Sequence, residues 1–315
     1  MISSESTAVR VTDLSHRYGD RQALSGISFD IAPGEIFVFV GPNGSGKTTL
    51  FRVLSTLIPL QSGAASVFGH DVVRQNRHVR ASIGVVFQSP SLDRKLTVSE
   101  NIWIQGALYG LSGPVLQQRE VELLAQLGIS DRASDRVETL SGGLQRRVEL
   151  AKGMIHRPAL LLMDEPSTAL DPGARSDLWE LLRQLNEQFG ITVVMTSHLL
   201  EEADRADRVA VLHDGGLVAL DTPDALRATV GGDTITIQTN QPEGLAADIR
   251  EKFQSDPVLL DGALRLEHND GHTWITRLIE AFPGRIDSIT LGKPTLEDVF
   301  IAKTGHRFWQ HEADR

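Results

Sequence analysis

The segment Gly41–Thr48 matches the pattern G-x-x-x-x-G-K-[ST], which cradles nucleotide phosphates. Glycines let the backbone of such a loop turn its N–H groups toward phosphate oxygens. A helix that starts near Lys47 adds the positive end of its dipole. The pattern predicts that Lys47 reaches the β- and γ-phosphates and that the Thr48 hydroxyl ligates Mg²⁺. The predicted contacts with ATP in this segment are Gly41, Pro42, Asn43, Gly44, Ser45, Gly46, Lys47, Thr48 and Thr49.

Two adjacent carboxylates, Asp164 and Glu165, follow the apolar segment Leu160–Met163. Ligands of doubly wound sheets bind at the carboxyl ends of the strands. We therefore expect Asp164 to hold Mg²⁺, directly or through water, and Glu165 to polarise an attacking water. The alternative is that these carboxylates only cap a helix that opens at Pro166.

The elements that position these groups are predicted to form a parallel α/β sheet. Ile36–Val40 is a continuous β-branched and aromatic run, which is typical of a strand buried on both faces. Thr48–Leu57 predicts the helix after the phosphate loop, and Val98–Leu140 is helical in pattern. From residue 145 to Leu212, helices alternate with strands, which favours parallel strands joined by helices.

The pattern changes after about Thr222. Short strands and helices follow in the order β-α-β-β-α-β-α, which is typical of a split βαβ unit with an added helix. We predict a small accessory domain over residues 226–305 and a polar tail over 306–315. The alternative is an irregular extension that packs on the first domain.

Charge and composition exclude several classes of protein. The chain of 315 residues has 41 acidic and 31 basic side chains, a formal net charge of −10 and no cysteine. The negative charge disfavours nucleic-acid binding, and the lack of cysteine excludes disulfides, thiolate nucleophiles and cysteine-ligated zinc. No apolar run approaches the roughly 18 residues of a membrane span, and the first residues lack the features of a signal peptide. We therefore expect a cytoplasmic protein that cannot carry a substrate through a bilayer unaided.

Two further segments resemble one known family. Leu140–Arg147, followed by Leu160–Glu165, is similar to the signature motif and second nucleotide motif of ATP-binding subunits of ABC transporters. Tyr18 resembles the aromatic residue that stacks on adenine in this family. Gln88 resembles the glutamine that senses Mg²⁺ and the membrane partner. The resemblance covers about residues 9–225.

Two more positions match the family in order. Thr168–Asp171 resembles the loop in which Asp171 links two active sites across a dimer, and His198 resembles the histidine that contacts the γ-phosphate. The resemblance implies a P-loop ABC ATPase domain over 1–225, with a parallel sheet core, an antiparallel β subdomain and a helical subdomain over about 89–140. A small α+β C-terminal domain would follow this α/β domain.

The family resemblance also implies a mechanism. Two copies, or this chain and a paired ATPase subunit, would associate head to tail. The signature residues Ser141, Gly142 and Gly143 of one copy would then close over the ATP of the other. Hydrolysis would use Glu165, His198 and Lys47, with Mg²⁺ held by Thr48, Gln88 and Asp164, partly through water.

The signature segment departs from the commonest family pattern at its fifth position and contains two arginines. Leu144 stands where the family frequently has glutamine, which affects only a peripheral polar contact. We expect Arg146 and Arg147 to form a solvated helical face and to pair with Glu149 or with a dimer partner, rather than to bind nucleic acid.

The C-terminal part resembles the extension of one ABC subgroup, the ATP-binding subunits of drug-resistance, polysaccharide and related exporters. The matching segments are Leu291–Phe300 with Thr304 and Gly305, and also Ser91–Asp93 and Leu96–Asn101. The alternative is an appendage that stabilises a dimer or packs on the first domain, without any role specific to transport.

The predicted function is an ATPase that powers a separate membrane permease, most simply an exporter. The permease would dock near Gln88, against the helical segment around Leu96–Gln105, and would hold the chain on the inner face of the cell membrane. The alternatives are an importer ATPase and a soluble ABC ATPase that acts on ribosomes or DNA. A kinase or GTPase outside the ABC family would leave Ser141–Gly143 and His198 without a task.

Overall fold

A computed structural model describes residues 7–260, 262–306 and 308. Most of the predicted polar tail therefore lies outside the described residues. The chain divides after Leu220 into two compact units. The strands of the first unit are β1 (Val9–Tyr18), β2 (Arg21–Ile31), β3 (Ile36–Val40), β4 (Ser62–Val67), β5 (His70–Asp71), β6 (Ile83–Val86), β7 (Leu160–Asp164), β8 (Thr192–Ser197), β9 (Arg208–His213) and β10 (Gly216–Asp221). Its helices are α1 (Lys47–Leu54), α2 (Asn76–Ser82), α3 (Val98–Leu108), α4 (Gly113–Gln126), α5 (Gly142–Met154), α6 (Pro172–Phe189) and α7 (Leu200–Ala203).

The central sheet has the strand order β10-β9-β3-β8-β7-β6. β3 pairs in parallel with β8 and β9, and β7 pairs in parallel with β6 and β8. Every residue of β3 and of β7 is buried, as expected for strands that are covered on both faces. The carboxyl ends of β3, β7 and β8 meet at one edge of this sheet, where Gly41, Glu165 and His198 follow them directly.

An antiparallel sheet of order β2-β1-β4-β5 shares a hydrophobic core with the central sheet. The ring of Phe29 in β2 packs on two rings of β3, with centroid distances of 6.2 Å to Phe37 and 5.0 Å to Phe39. The predicted α/β class, with a parallel sheet core and an antiparallel β subdomain, is therefore confirmed.

The turn that the sequence predicts at Gly110–Pro114 separates two helices, but the helical segment ends earlier than its pattern predicts. Between Val98 and Leu140 the continuous helices are α3 and α4, and beyond Gln126 only short 3₁₀ turns occur. Gly110 and Gly128 follow these helices with φ values of 76° and 63°, which end each helix in the left-handed region. α3 begins at a capping box, in which the Thr97 hydroxyl accepts the N–H of Glu100.

The second unit has the predicted element order, preceded by one helix that was not predicted. Its elements are α8 (Pro223–Ala228), β11 (Asp233–Gln238), α9 (Pro242–Phe253), β12 (Val258–Leu260), β13 (Ala263–His268), α10 (Gly271–Ala281), β14 (Ser288–Gly292) and α11 (Leu296–Thr304). The strands form an antiparallel sheet of order β12-β13-β11-β14, the topology of a split βαβ unit. This unit has a core of its own, in which Ile235, Ile237, Leu264 and Leu278 are fully buried.

No helix within the described ranges is both long enough and apolar enough to cross a membrane.

Candidate functional site

The phosphate loop, residues 41–48, joins β3 to α1 and requires glycine at two positions. Gly46 has a φ of 106°, and a Cβ atom there would lie 2.6 Å from the Ala23 carbonyl oxygen. A Cβ atom on Gly41 would lie 2.3 Å from the Leu212 carbonyl oxygen. The loop is therefore packed against β2 and β9, and only glycine fits at these two points.

Lys47 lies at the start of α1 and is buried, with 3% of its surface exposed. Its ammonium donates to the carbonyl oxygens of Gly41, at 2.7 Å, and Pro42, at 3.1 Å. The ammonium also lies 3.7 Å from Glu165 Oε1. Burial lowers the pKa of Lys47, while the nearby carboxylates of Glu165 and Asp164 oppose this shift. This arrangement places a desolvated cation inside the loop, where an anionic ligand would be attracted to it.

Asp164 is the last residue of β7 and faces the phosphate loop. Its Oδ1 accepts a hydrogen bond from the Thr196 hydroxyl at 2.5 Å and lies 3.5 Å from the Thr48 hydroxyl. Burial raises the pKa of Asp164, and the charge of Glu165 adds to the shift. A desolvated carboxylate beside a hydroxyl is a set of oxygen donors that suits Mg²⁺. Thr48 and Asp164 therefore fit the predicted metal site.

Glu165 has a strained backbone. It follows β7 with a φ of 44°, in the left-handed region that non-glycine residues rarely adopt. Its N–H group lies 3.0 Å from the Thr196 hydroxyl and 3.2 Å from the Thr196 carbonyl oxygen, and both contacts hold it in place. Strain of this kind persists where the surroundings over-determine the conformation, as they do at many active sites.

The carboxylate of Glu165 is the centre of a polar cluster. Its Oε2 accepts hydrogen bonds from Gln88 Nε2 and Thr168 Oγ1, both at 3.2 Å, and lies 3.0 Å from His198 Nδ1. Its Oε1 faces the Lys47 ammonium. The structure thus brings together four predicted site residues that come from distant parts of the sequence. Thr168 and Thr196 also contact these carboxylates, and sequence reasoning gave neither of them an individual role in the site.

A pocket of about 170 Å³ opens beside the phosphate loop. Tyr18 lies at its rim, is 46% exposed and packs edge to face on His16 at a centroid distance of 4.8 Å. Arg21 and Ala23 also line the pocket and were not predicted, although both lie close to Tyr18 in the hairpin of β1 and β2. The lining residues are Tyr18, Arg21, Ala23, Asn43, Gly44, Gly46, Lys47, Thr48, Thr49 and Glu165.

The signature residues lie at a second pocket, of about 580 Å³, which shares none of its lining residues with the first. Ser141 caps α5, and its hydroxyl accepts the N–H of Leu144. Asp171 caps α6 by accepting the N–H of Ala174 at 3.0 Å. Two helix N-termini thus face one pocket, which also includes Gly142 and Gly143. Helix N-termini attract anions, because their N–H groups and dipoles point at the ligand.

The prediction of a solvated face at Arg146 is wrong. Only 6% of this residue is exposed, and its guanidinium contacts Glu149 Oε2 at 2.7 Å. It also donates to the carbonyl oxygens of Phe87 and Gln88. Arg147 is half-buried and donates to the Leu127 carbonyl oxygen at 2.9 Å. The predicted pairing of Arg146 with Glu149 is present, but sequence periodicity did not show that the pair is buried.

Comparisons with known proteins point to one family. A family model described as ABC transporter matches residues 24–168. The chain is 38% identical to a daunorubicin resistance ATP-binding protein of Streptomyces coeruleorubidus, over 97% of this chain and 98% of that protein. It is 36% identical to a Nod factor export ATP-binding protein of Paraburkholderia xenovorans, over 95% of this chain and 97% of that protein.

A solved structure has the same fold. CbiO1 of Clostridium perfringens, part of an ABC transporter complex, superposes with a TM-score of 0.66 and 25% identity, over 79% of this chain and 97% of that chain. The match to full-length relatives extends beyond the phosphate loop and includes the C-terminal unit. The chain therefore belongs to the ABC transporter family, as one of its ATP-hydrolysing, ATP-binding subunits.

Proposed function

We propose that this chain hydrolyses ATP in order to power a separate membrane permease, and that the transporter works as an exporter. The observation that carries the proposal is the position of Glu165. Its carboxylate lies 3.7 Å from the ammonium of the buried Lys47, and both residues line the first pocket. Names of similar proteins support the direction of transport, since they describe drug resistance and Nod factor export. The same names do not favour an importer or an ATPase of ribosomes or DNA.

Seven side chains in or beside the first pocket have a role in this proposal. Lys47 would neutralise charge on the β- and γ-phosphates, and Tyr18 would stack on the adenine. Glu165 would orient the attacking water and withdraw its proton, with His198 beside the γ-phosphate. Thr48 and Asp164, with Gln88 through water, would hold Mg²⁺, which neutralises developing phosphate charge.

The second pocket supports a role for a second copy. Ser141, Gly142 and Gly143 lie at the N-terminus of α5, away from the phosphate loop of their own chain. We propose that two ATP-binding subunits associate head to tail, so that these three residues bind the γ-phosphate held by the other subunit. Asp171 lies in the same pocket and would link the two sites. No nucleic acid has a role in this cycle.

The permease is proposed to dock on the surface near Gln88 and α3. Two apolar side chains of α3, Ile104 and Leu108, are exposed one helical turn apart and could be covered by a partner. Docking there would hold the subunit at the cytoplasmic face of the membrane. Gln88 would sense both the permease and the nucleotide, since its amide contacts Glu165.

Replacing Glu165 by glutamine tests the enzymatic part of this proposal. Glu165→Gln keeps the shape of the side chain but removes the carboxylate that would accept a proton from water. We expect the rate of ATP hydrolysis to fall by about 10²–10⁴-fold, the usual contribution of a general base. ATP-dependent dimers should accumulate, because ATP binds but is not cleaved. Phosphate release and size-exclusion chromatography measure the two effects.

The exposed residue Glu187 on α6 offers a matched control. Glu187→Gln makes the same chemical change far from the pocket and should hydrolyse ATP like the unchanged chain. Undiminished hydrolysis by Glu165→Gln would contradict the proposed role.

The trapped Glu165→Gln chain should also retain a polytopic membrane protein in mild detergent. Recovery of ribosomal or DNA-bound proteins instead would contradict the transporter assignment.

A further inference from the structure

Side chains on one face of α5 form hydrogen bonds with the loop that follows β6. Arg146, Glu149 and Lys152 are spaced three residues apart and point to the same side of the helix. Arg146 donates to the Phe87 carbonyl oxygen at 2.9 Å and the Gln88 carbonyl oxygen at 3.4 Å. We call these three side chains the α5 brace.

The other two side chains of the brace hold a single residue of the loop. Glu149 Oε1 accepts the N–H of Ser91 at 2.7 Å. Lys152 donates to the carbonyl oxygen of the same Ser91 at 2.6 Å. Both main-chain groups of Ser91 are therefore bound to α5. The residues from Phe87 to Ser91 can move relative to α5 only if several charge-assisted hydrogen bonds break.

Two side chains of the brace, Arg146 and Glu149, are out of water. Arg146 is 6% exposed and Glu149 is 3% exposed, and their side chains lie 2.7 Å apart. Burial raises the pKa of Glu149 and lowers the pKa of Lys152. A buried charge without its partner is very unfavourable, so these groups keep one fixed arrangement.

The far end of α5 is fixed to the central sheet. A Cβ atom on Gly84 in β6 would lie 2.3 Å from the Gly153 carbonyl oxygen of α5. Helix and strand thus touch through their backbones, which leaves no room for one to slide over the other. Gly153 therefore anchors this end of α5 against β6.

The brace lies between two functional groups. Arg146 is about 7 Å along the helix axis from Ser141, at a rise of about 1.5 Å per residue. In the other direction, the backbone held by Arg146 carries the Gln88 side chain, whose Nε2 donates to Glu165 Oε2 at 3.2 Å. The helix α5, the hydrogen bond from Arg146 to Gln88 and the hydrogen bond from Gln88 to Glu165 thus connect the signature pocket with the carboxylate of the first pocket.

We propose that Arg146 and Glu149 are positioning residues that couple the two pockets of one chain. Nucleotide held at Ser141–Gly143 would fix the N-terminus of α5. The brace would transmit the resulting position of α5 to the backbone of Gln88. The Gln88 amide would then set the position of Glu165. This inference rests on the proposed head-to-tail pairing, because the nucleotide at Ser141–Gly143 belongs to the other copy.

A double replacement tests the coupling without leaving a buried charge. Arg146→Met with Glu149→Leu substitutes apolar side chains of similar volume, a change that folded proteins often tolerate. We expect ATP affinity, measured with a fluorescent ATP analogue, to stay within about twofold and the turnover number to fall at least tenfold. Hydrogen exchange at the Ser91 amide should become faster. In the Glu165→Gln background, ATP-dependent dimers should still form, because Ser141–Gly143 are unchanged.

A milder variant covers the case in which the double variant does not fold. Arg146→Lys keeps the positive charge beside Glu149, but an ammonium lacks the planar fork that reaches two carbonyl oxygens as well. It should also lower turnover with unchanged ATP affinity. The matched control is Arg157→Gln with Glu122→Gln, which removes an exposed ion pair of 3.0 Å in the same unit and should leave turnover unchanged.

Three outcomes would overturn the coupling. The first is unchanged turnover in the folded double variant or in Arg146→Lys. The second is a loss of ATP affinity that parallels the loss of turnover in these variants. The third is a loss of ATP-dependent dimers when the double replacement is made in the Glu165→Gln background. Failure of the proposed function is distinguishable, because the unchanged chain would then neither hydrolyse ATP nor form ATP-dependent dimers. A chain that does both, with brace variants that match it, refutes only the coupling.

Discussion

Two neighbouring carboxylates show how the environment gives similar side chains different tasks. Asp164 accepts from the Thr196 hydroxyl and faces Thr48, a set of oxygen groups that suits a metal ion. Glu165 is one residue further along, on a strained backbone, and its side chain meets Lys47 and His198 instead. One residue of displacement at the end of β7 thus separates the proposed metal ligand from the proposed group that acts on water.

Asp164 imposes a cost on the nucleotide-free protein, because its charge is buried. Burial raises the pKa of Asp164, so the folded state disfavours the ionised form. Asp164→Asn keeps an acceptor for Thr196 and removes the charge. We expect a melting temperature at pH 7, without nucleotide, that is about 2–4 °C higher, which corresponds to about 1 kcal/mol for a unit of this size. Hydrolysis should be lost.

The pH dependence of this difference has a definite sign. A carboxyl pKa that is raised in the folded state destabilises the protein at pH values above it, and the effect is absent below the unfolded value of 3.8. The advantage of Asp164→Asn should therefore shrink as the pH falls through the raised pKa toward 3.8. Calorimetry from pH 7 to pH 4 measures it. A variant that is less stable than the unchanged chain at pH 7 would refute this explanation.

Elements with a strong local pattern are the ones that the sequence predicts. β3 and β7 are continuous apolar runs, and the phosphate loop has a fixed spacing, so all three could be predicted before any contact was known. β4 and β6 were missed, because Ser62–Val67 and Ile83–Val86 are short and contain glycine. The hydrogen bond from Arg146 to the Phe87 carbonyl oxygen spans about sixty residues and has no local signature. Only the tertiary structure shows it.

The phosphate loop offers a prediction at the scale of the element. Gly46→Ala combines an unfavourable φ of 106° with a close approach to the Ala23 carbonyl oxygen, so the loop must shift. We expect destabilisation of more than about 1–2 kcal/mol, the cost of left-handed backbone alone, and loss of ATP binding. Chemical denaturation and nucleotide titration measure the two effects.

Gly110→Ala is the matched control for this change. Gly110 has a φ of 76°, but a Cβ atom there would meet nothing within 4 Å. This variant should lose only the backbone contribution and should bind ATP normally. Equal destabilisation of the two variants, with ATP binding retained in both, would show that the contact with Ala23 is unimportant.

The whole molecule consists of two units with separate cores. The first core lies on one face of the central sheet, next to the antiparallel sheet, and the second lies between the sheet of β11–β14 and the helices α9 and α10. We propose that the units are domains, the first for nucleotide binding and the second an accessory to it. Sequence periodicity predicted the order of elements in the second unit, because its strands and helices are short and well separated by turn residues.

Division of the chain after Leu220 tests this organisation. We expect the fragment 221–315 to unfold cooperatively on heating, because its buried residues contact one another. The fragment 1–220 should bind ATP with a dissociation constant within about threefold of the full chain, a difference below about 0.7 kcal/mol. Circular dichroism and nucleotide titration measure these properties. A fragment 221–315 without a cooperative transition would show that it is not a domain.

The α5 brace has a consequence for how related sequences can diverge. Its partners in the loop are main-chain groups of Phe87, Gln88 and Ser91, which nearly every residue type provides. The side chain at position 91 can therefore vary during evolution while the brace persists, whereas Phe87 also packs on the ring of Phe51. Proline at 91 is the exception, because it has no N–H group for Glu149 to accept. Families that keep both charges should vary freely at position 91 but exclude proline there.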